Sequence, residues 1–220
     1  MKPEEFLICL DAGHGGLLPG TPQPALYTTF PSKCFEHRTG NYHARGWFFE
    51  GVYNRDVAVY LRQYLIDYGF NVKNVFDPIK DTPLTTRCQL ANNYATGYKA
   101  SIFVSIHGNA GPSTARGFEI FTTKGKTKSD TLATGIFNEV NKMVRGWPMR
   151  ADYSDNDPDK EEDFGVLRMT KMPAVLSENG FFTNRDDAVM MMTREFQRNI
   201  ALAHAMGILE YAKNIGVVYE

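Results

Sequence analysis

Four side chains of the sequence have the residue types that hydrolytic metal sites use. His14, His107 and Glu178 each follow a short apolar run, and Glu50 opens a long amphipathic segment. Two imidazoles and one carboxylate are a common set of catalytic zinc ligands, which leaves a fourth position for water or substrate. Zinc activates water and polarises a carbonyl group. A carboxylate that is not a ligand must then move protons, and Glu178 is the candidate for this general acid/base role.

Each of these residues, taken alone, is more typical of a structural role. A single histidine at a strand end is usually hydrogen-bonded rather than metal-bound, and a glutamate that opens a helix is favoured by the helix dipole. The prediction therefore depends on the whole set. Glycines flank both histidines, which permits sharp turns and the close approach of a substrate. They are Gly13, Gly15, Gly16 and Gly108.

The elements that must position these residues alternate between strands and helices. Apolar runs predict strands at about 6–10, 70–76, 101–106, 117–122 and 173–177. Helical periodicity predicts helices at about 50–68, 82–95, 129–144 (with a serine cap) and 194–213. This alternation predicts one α/β domain over residues 1–220, with a mostly parallel or mixed sheet of about six strands and helices on both faces. Ligands collect at the carboxyl ends of such strands, where the candidate residues are expected to meet.

The composition excludes several classes of protein. The 24 basic and 25 acidic residues leave a formal net charge of −1, so a nucleic-acid partner is not expected. No stretch approaches the roughly 20 apolar residues of a membrane span. The acidic N-terminal residues and the short apolar run after them do not resemble a signal peptide, which predicts synthesis in the cytoplasm unless a leader was trimmed. The three cysteines form no disulfide framework. The oligomeric state stays open.

Four separated motifs make the sequence similar to a known family. Residues 10–16 (LDAGHGG) resemble the opening signature of the zinc-dependent N-acetylmuramoyl-L-alanine amidases of type 3. Glu50 with its helix, residues 87–110 (ending in SIHGNA) and residues 166–184 (containing MPAVLSENGFFTN) resemble the later blocks of that family. The blocks follow the family's order and cover most of residues 6–210.

The resemblance implies a function and assigns a role to each candidate residue. It implies cleavage of the amide bond between N-acetylmuramic acid and the L-alanine of the peptidoglycan stem, by a phage endolysin or bacterial autolysin that acts at the cell wall. His14, Glu50 and His107 are then the Zn²⁺ ligands and Glu178 the catalytic glutamate. Two alternatives stay open: a zinc peptidase that cuts within the stem peptide, and a non-catalytic module that binds the cell wall.

Two segments depart from the family's pattern. Residues 15–49 form a long predicted loop, in which Glu36 or His43 competes for the position of second ligand; Glu50 is preferred because its helix follows directly. His37 and His43 are expected to be exposed or locally hydrogen-bonded. Trp47, Phe48 and Phe49 are expected either to shape the substrate groove or to pin the loop to the core.

Residues 145–165 form a predicted acidic insertion. Asp155, Asp157 and Asp159 do not fit a calcium-binding loop, because Lys160 takes the place of the loop glycine and no glutamate stands at the twelfth position. A solvated acidic loop is therefore expected. Outside these segments, His204 is expected to be a hydrogen-bonded core histidine. Arg116, Arg168 and Asn109 are expected to contact substrate or to fix loops.

Overall fold

The protein is built on a six-stranded mixed sheet. The structure is a computed structural model, and it describes residues 1–218. The strands of this part of the chain are β1 (Phe6–Ala12), β2 (Cys34–Asn41), β3 (Arg45–Phe49), β4 (Asn71–Asn74), β5 (Ala100–Asn109), β6 (Phe118–Thr122), β7 (Lys160–Glu161) and β8 (Ala174–Phe181). Its α-helices are α1 (Glu50–Asp67), α2 (Leu84–Tyr94), α3 (Lys128–Met143), α4 (Gly165–Met169), α5 (Arg185–Met191) and α6 (Arg194–Asn214).

The order of the strands brings the predicted site residues to one edge. The sheet has the order β4-β1-β5-β8-β6-β7, in which β4, β1, β5 and β8 are parallel to one another. Strand β6 runs antiparallel to β8, and β7 is parallel to β6. Because β1, β5 and β8 are neighbours that run in the same direction, their carboxyl ends lie side by side. The predicted α/β domain with a mixed sheet of six strands is confirmed.

Helices cover both faces of the sheet, as the sequence predicts. Strand β1 is buried along its whole length, which explains its continuous apolar run. Its alternate side chains enter two different cores: Ile8 and Leu10 pack in the larger core with α1, α3 and α6, and Leu7 and Cys9 pack in the smaller core with α2 and α4. Burial of one such large apolar side chain contributes roughly 1.5–3 kcal/mol.

The prediction of a long loop over residues 15–49 is wrong for the second half of this segment, which forms a β-hairpin. Strands β2 and β3 pair antiparallel, with Cys34 opposite Phe49. Phe48 is fully buried and stacks on Phe182 at a ring-centroid distance of 5.7 Å, and Phe49 stacks on Tyr27 at 4.8 Å. Phe48 and Phe49 therefore pin the hairpin to the body of the protein. The contacts that order this segment join residues far apart in the chain, so local sequence patterns do not reveal them.

The acidic segment also has more structure than the sequence predicts. Residues 145–165 contain β7 and the start of α4, and Asp159 is only 2% exposed. The expectation of a solvated loop is therefore wrong at this residue. The short helices α4 and α5 are not predicted either, because they are too brief to show a helical period.

Helix α3 has a different cap from the predicted serine. Thr127 is the N-cap residue: its hydroxyl accepts a hydrogen bond from Ser129 N, and the Asp130 carboxylate accepts one from Thr127 N. This reciprocal arrangement is a capping box, which satisfies amide groups that the first turn leaves unpaired. Ser129 instead accepts a hydrogen bond from Ala174 N at the start of β8. Within the described part of the chain, no helix combines the length and the apolar character needed to cross a membrane.

Candidate metal centre

His14, Glu50 and His107 converge at the carboxyl edge of the sheet. One potential ligand atom from each residue lies within 4.8 Å of the other two. Glu50 Oε1 is 3.3 Å from His14 Nε2 and 3.0 Å from His107 Nδ1. The two imidazole rings meet edge to face with their centroids 5.0 Å apart. The structure thus brings together the three residues that the sequence singles out.

The turn after β1 positions His14. This residue has a φ of 63°, in the left-handed region that few residues other than glycine adopt. Arg55 from α1 stabilises the turn, since its Nη2 donates to the His14 carbonyl oxygen at 2.7 Å. The preceding Gly13 is needed for space: a Cβ at this position would lie 2.0 Å from the His107 ring. Gly13 therefore permits contact between the turn and the second histidine.

The first turn of α1 positions Glu50, whose side chain is only 2% exposed. Asn54 lies one turn further along the helix, on the same face. Its amide nitrogen donates to the Gly13 carbonyl oxygen at 3.0 Å and lies 3.4 Å from Glu50 Oε1. The helix thus fixes the carboxylate and the β1 turn relative to each other. The sequence prediction that α1 begins at Glu50 is confirmed.

The electrostatics of the cluster suit a divalent cation. Burial by itself would raise the pKa of Glu50, but the imidazoles of His107 and His14 outweigh burial and lower it, so the carboxylate is ionised. His14 Nε2 is buried and makes no hydrogen bond of good geometry with the described residues. Two imidazole nitrogens and a carboxylate form a donor set that zinc accepts. The residues present therefore fit the metal that the resemblance implies.

Glu178 lies beside the cluster of candidate ligands, on the next strand. It is the register partner of His107 across the parallel pair of β5 and β8. Both residues therefore belong to the strands, whereas the sequence pattern places them just after the strand ends. The Glu178 Oε2 atom is buried without a hydrogen-bond partner in the described part of the protein. Burial first, and the Glu50 charge second, raise the pKa of Glu178 well above its usual range, which suits a group that exchanges protons.

Glu119 is a buried acid of the site that the sequence analysis missed. It is 5% exposed and faces Glu178 across the pair of β6 and β8. Its carboxylate accepts hydrogen bonds from Asn109 Nδ2 at 2.7 Å, Arg150 Nε at 2.6 Å and Lys160 Nζ at 2.7 Å. The two cations compensate the buried charge. The sequence does contain a signal that could have identified Glu119, because it is a charged residue inside the apolar run of β6.

The two arginines that the sequence analysis left open form ion pairs on the protein itself. Arg116 binds both Asp186 and Asp187 at 3.3 Å, so it ties the segment before β6 to α5. Arg168 pairs with Asp163 at 2.6 Å on the surface. Both arginines thus fix local structure. Asn109 likewise orients Glu119 through the hydrogen bond described above.

The competing ligand candidates of the hairpin do not join the cluster. Glu36 is exposed on β2, and His43 Nδ1 accepts a hydrogen bond from Phe49 N at 2.9 Å, which confirms the local hydrogen bond expected for His43. His37 is 7% exposed and its Nε2 lies 2.9 Å from the carbonyl oxygen of Phe182, so the expectation of an exposed or locally bonded side chain is wrong there. Neither histidine belongs to the group of ligand atoms around Glu50.

A buried hydrogen-bond network joins α6 and β8 to His107 of the candidate site. His204 Nε2 lies 2.9 Å from Ser177 Oγ, and Asn179 Nδ2 donates to the same oxygen at 3.0 Å. Asn179 Nδ2 also donates to the His107 carbonyl oxygen at 3.0 Å. His204 Nδ1 lies 2.8 Å from the Ile200 carbonyl oxygen, so both ring nitrogens have a hydrogen-bond partner. The prediction of a hydrogen-bonded core histidine is confirmed.

Comparisons with known proteins agree with this geometry. Residues 8–210 match the family model described as N-acetylmuramoyl-L-alanine amidase. The chain is 34% identical over 169 residues to the N-acetylmuramoyl-L-alanine amidase CwlM of Bacillus licheniformis, covering 74% of this chain and 61% of the relative. It is 32% identical to the sporulation-specific N-acetylmuramoyl-L-alanine amidase of Bacillus subtilis strain 168, covering 94% of this chain and 68% of the relative.

Two further matches show the range of similar proteins. The chain is 33% identical to an endolysin of Bacillus phage SPP1 over 53% of this chain and 42% of the relative. The crystal structure of an N-acetylmuramoyl-L-alanine amidase from Clostridium difficile 630 has a TM-score of 0.73 and 26% identity, and it covers 96% of this chain and 98% of the other. The chain thus spans nearly the whole of that structure but less than two thirds of the Bacillus licheniformis and phage relatives.

Proposed function

The chain belongs to the N-acetylmuramoyl-L-alanine amidase family, and on that premise we propose that it hydrolyses the amide bond between N-acetylmuramic acid and the L-alanine of the peptidoglycan stem. The observation that carries this proposal is the cluster of His14, Glu50 and His107 with the unpartnered Glu178 carboxyl on the adjacent strand. The amidase names of the relatives support the same substrate and an action at the cell wall.

We propose zinc as the cofactor of this centre. His14 Nε2, the Glu50 carboxylate and His107 Nδ1 are the atoms that would hold it, because these atoms already lie close to one another at the carboxyl edge of the sheet. When bound, zinc supplies a Lewis acid for the scissile carbonyl and lowers the pKa of water. The hydrogen bonds of Asn54 and Arg55 keep the ligands in place by holding α1 against the β1 turn.

In this proposal Glu178 moves the protons. The Glu178 carboxylate would accept a proton from water as the water oxygen bonds to the carbonyl carbon, and it would deliver that proton to the alanine nitrogen as the C–N bond breaks, so that a neutral amine leaves. Its raised pKa makes it a competent acid for the second step. Glu119, held by Arg150 and Lys160, keeps the neighbouring strand in register beside Glu178.

A groove at the same edge of the sheet offers room for the substrate. The cavity of about 530 Å³ lies between β2 and the residues that follow β8, and it is next to the candidate site rather than lined by its four residues. Arg38 and Arg185 line it together with Glu36 and Asp186, and the two arginines could bind carboxylates that a stem peptide carries. We therefore propose that the hairpin of β2 and β3 forms one wall of the substrate site.

Digestion of purified peptidoglycan, followed by mass spectrometry of the soluble products, tests the proposed reaction. Free stem peptides that begin with L-alanine are expected, and a chelator should abolish them until zinc is restored. Cuts within the stem peptide would show a zinc peptidase instead. Binding of the wall without any cleavage, in protein with zinc bound, would show a binding module.

A further inference from the structure

Two carboxyl groups outside the metal centre have buried oxygens without partners. Asp159 is 2% exposed, and its Oδ2 accepts a hydrogen bond from Thr122 Oγ1 at 2.6 Å. Its other oxygen, Oδ1, and the Oδ1 of Asp157 are both buried and have no hydrogen-bond partner among the described residues. The carboxyl groups of Asp157 and Asp159 lie within hydrogen-bond range of each other. The two carboxyl groups thus face each other, and either a proton or a cation must lie between them.

The surroundings add negative charge rather than compensating it. Asp157 lies on the wall of a pocket of about 690 Å³, whose lining contains five carboxylates and one ammonium group. These are Asp130, Asp155, Asp157, Glu161, Glu210 and Lys126. Within residues 1–218, no lysine or arginine forms an ion pair with Asp157 or Asp159, and the adjacent Lys160 reaches away to Glu119.

Two of the other acids of this pocket, Asp130 and Glu161, are already engaged. Both oxygens of Asp130 accept hydrogen bonds from Thr127, one from the amide and one from the hydroxyl. Glu161 Oε1 accepts a hydrogen bond from Gly125 N at 2.6 Å. Asp157 Oδ1 is the buried acceptor that this wall leaves for a ligand, and the buried Asp159 Oδ1 lies next to it behind the wall.

The contact between the buried Asp159 and the half-buried Asp157 requires positive charge between the two carboxyl groups. An uncompensated buried charge is costly, so the pair must either share a proton or bind a cation. The available donors are all oxygens, which favours a hard cation such as Ca²⁺ over a transition metal. The spacing of these aspartates does not fit an EF-hand loop, but a calcium site can also be assembled from residues that the fold brings together.

We propose that Asp157 and Asp159 bind a calcium ion that fastens the acidic segment to the end of β6. The segment is preformed for this role: Asp152 N donates to the Pro158 carbonyl oxygen at 3.3 Å, and Asn156 turns the chain with a φ of 79°. Asp159 directly precedes Lys160, whose ammonium group binds Glu119 opposite Glu178. The ion would thus also anchor the short strand that carries Lys160.

Calcium titration of the full chain tests this site. In chelator-treated buffer at about pH 8, above the pKa of about 7 to which burial raises Asp159, calorimetry should detect about one Ca²⁺ per chain with a Kd of roughly 10⁻⁴–10⁻³ M. About 5 mM CaCl₂ should raise the Tm by about 5 °C. Both effects should disappear in Asp157→Asn and Asp159→Asn.

The variants keep the test independent of folding and of the amidase reaction. Asparagine has the shape of aspartate and removes the repulsion, so without calcium both variants should melt at or above the wild-type Tm. Glu162→Gln is the matched control, because Glu162 is an exposed acid of the same segment, and it should keep the calcium response. The readouts are heat and Tm, so failure of the proposed hydrolysis would leave them unchanged.

Two results would contradict the proposed calcium site. If 5 mM CaCl₂, roughly ten times the expected Kd, leaves the wild-type Tm unchanged, the cation site is excluded. A wild-type Tm that instead falls as the pH rises from about 6 to 8, with no such fall in Asp159→Asn, would show a carboxyl pair that shares a proton.

Discussion

Gly13 lies against the imidazole ring of His107, and the proposed metal centre depends on this contact. A methyl group at position 13 would lie 2.0 Å from the ring, so Gly13→Ala must displace His107 or the turn that carries His14. Small displacements of a ligand weaken metal sites strongly, and we expect zinc affinity to fall about 10- to 100-fold. Competition with a chromogenic chelator measures it.

Gly97→Ala is the control for this substitution. A Cβ built at Gly97 has nothing within 4 Å, so that variant should bind zinc like the wild type. Wild-type affinity in Gly13→Ala would mean that the ring and the turn can separate without loss of the site. The importance we assign to this close approach would then be wrong.

Glu178 is the residue whose chemistry the proposed reaction needs most directly. Glu178→Gln keeps the shape of the side chain but cannot take up or release the proton, so activity on peptidoglycan should fall about 10²- to 10⁴-fold. Because Glu178 lies outside the group of ligand atoms, the zinc content should stay near that of the wild type. Stem-peptide release and atomic absorption measure the two quantities.

The exposed Glu162 again provides the comparison, since Glu162→Gln removes the same charge from the surface and should leave hydrolysis intact. Full activity in Glu178→Gln would rule out the proton-transfer role. Loss of zinc in that variant would indicate that Glu178 is a ligand.

At the scale of elements, a buried ion pair joins α2 to the strands beneath the metal centre. Arg87 from α2 is 2% exposed, and its Nη1 lies 3.3 Å from the Asp11 carboxylate at the end of β1. Ser105 of β5 donates to the same carboxylate at 2.7 Å. The interaction thus fixes the ends of two strands from which His14 and His107 project.

Arg87→Ala should destabilise the protein, because it leaves the fully buried Asp11 carboxylate without its cation. The loss of one partner of a buried pair costs about 3–5 kcal/mol in the free energy of unfolding. Urea denaturation measures the loss. In Arg168→Ala, which breaks the exposed pair with Asp163, little change is expected. Equal effects of the two substitutions would contradict the structural role of the buried pair.

At the scale of the whole molecule, the network from α6 to the metal centre makes stability sensitive to acid. Burial lowers the pKa of His204 to about 4, so this imidazole stays neutral in the folded protein. In the unfolded chain its pKa is about 6.5, so between about pH 6.5 and 4 protons bind the unfolded state preferentially. The contribution of His204 to stability is therefore complete above about pH 6.5 and is lost as the pH falls to about 4.

A pH series of unfolding measurements on the wild type and His204→Asn tests this linkage. At neutral pH the variant should be less stable, because it disturbs the hydrogen bonds to Ser177 Oγ and to the Ile200 carbonyl oxygen. The difference between the two proteins should shrink by about 2–3 kcal/mol between about pH 6.5 and 4. A difference that is constant with pH would show that His204 is not kept neutral by the fold.

The sequence by itself determined five of the six strands of the sheet, the main helices and the four residues of the proposed site. Apolar runs and helical periods are local signals, and His14, Glu50, His107 and Glu178 stand where such runs end or begin, so their common edge followed from the rule that parallel strands end together. The assignment of Glu50 over Glu36 also followed, because the helix that carries it is local.

Only the tertiary structure decided how these residues are held and what else lies near them. The Arg150 and Lys160 that compensate Glu119 are 31 and 41 residues away from it in the chain, and the Thr122 that binds Asp159 is 37 residues away. The hairpin of β2 and β3 likewise owes its place to aromatic contacts such as Phe48 on Phe182. Burial and charge compensation arise between residues that are distant in sequence, and a pattern read along the chain contains neither.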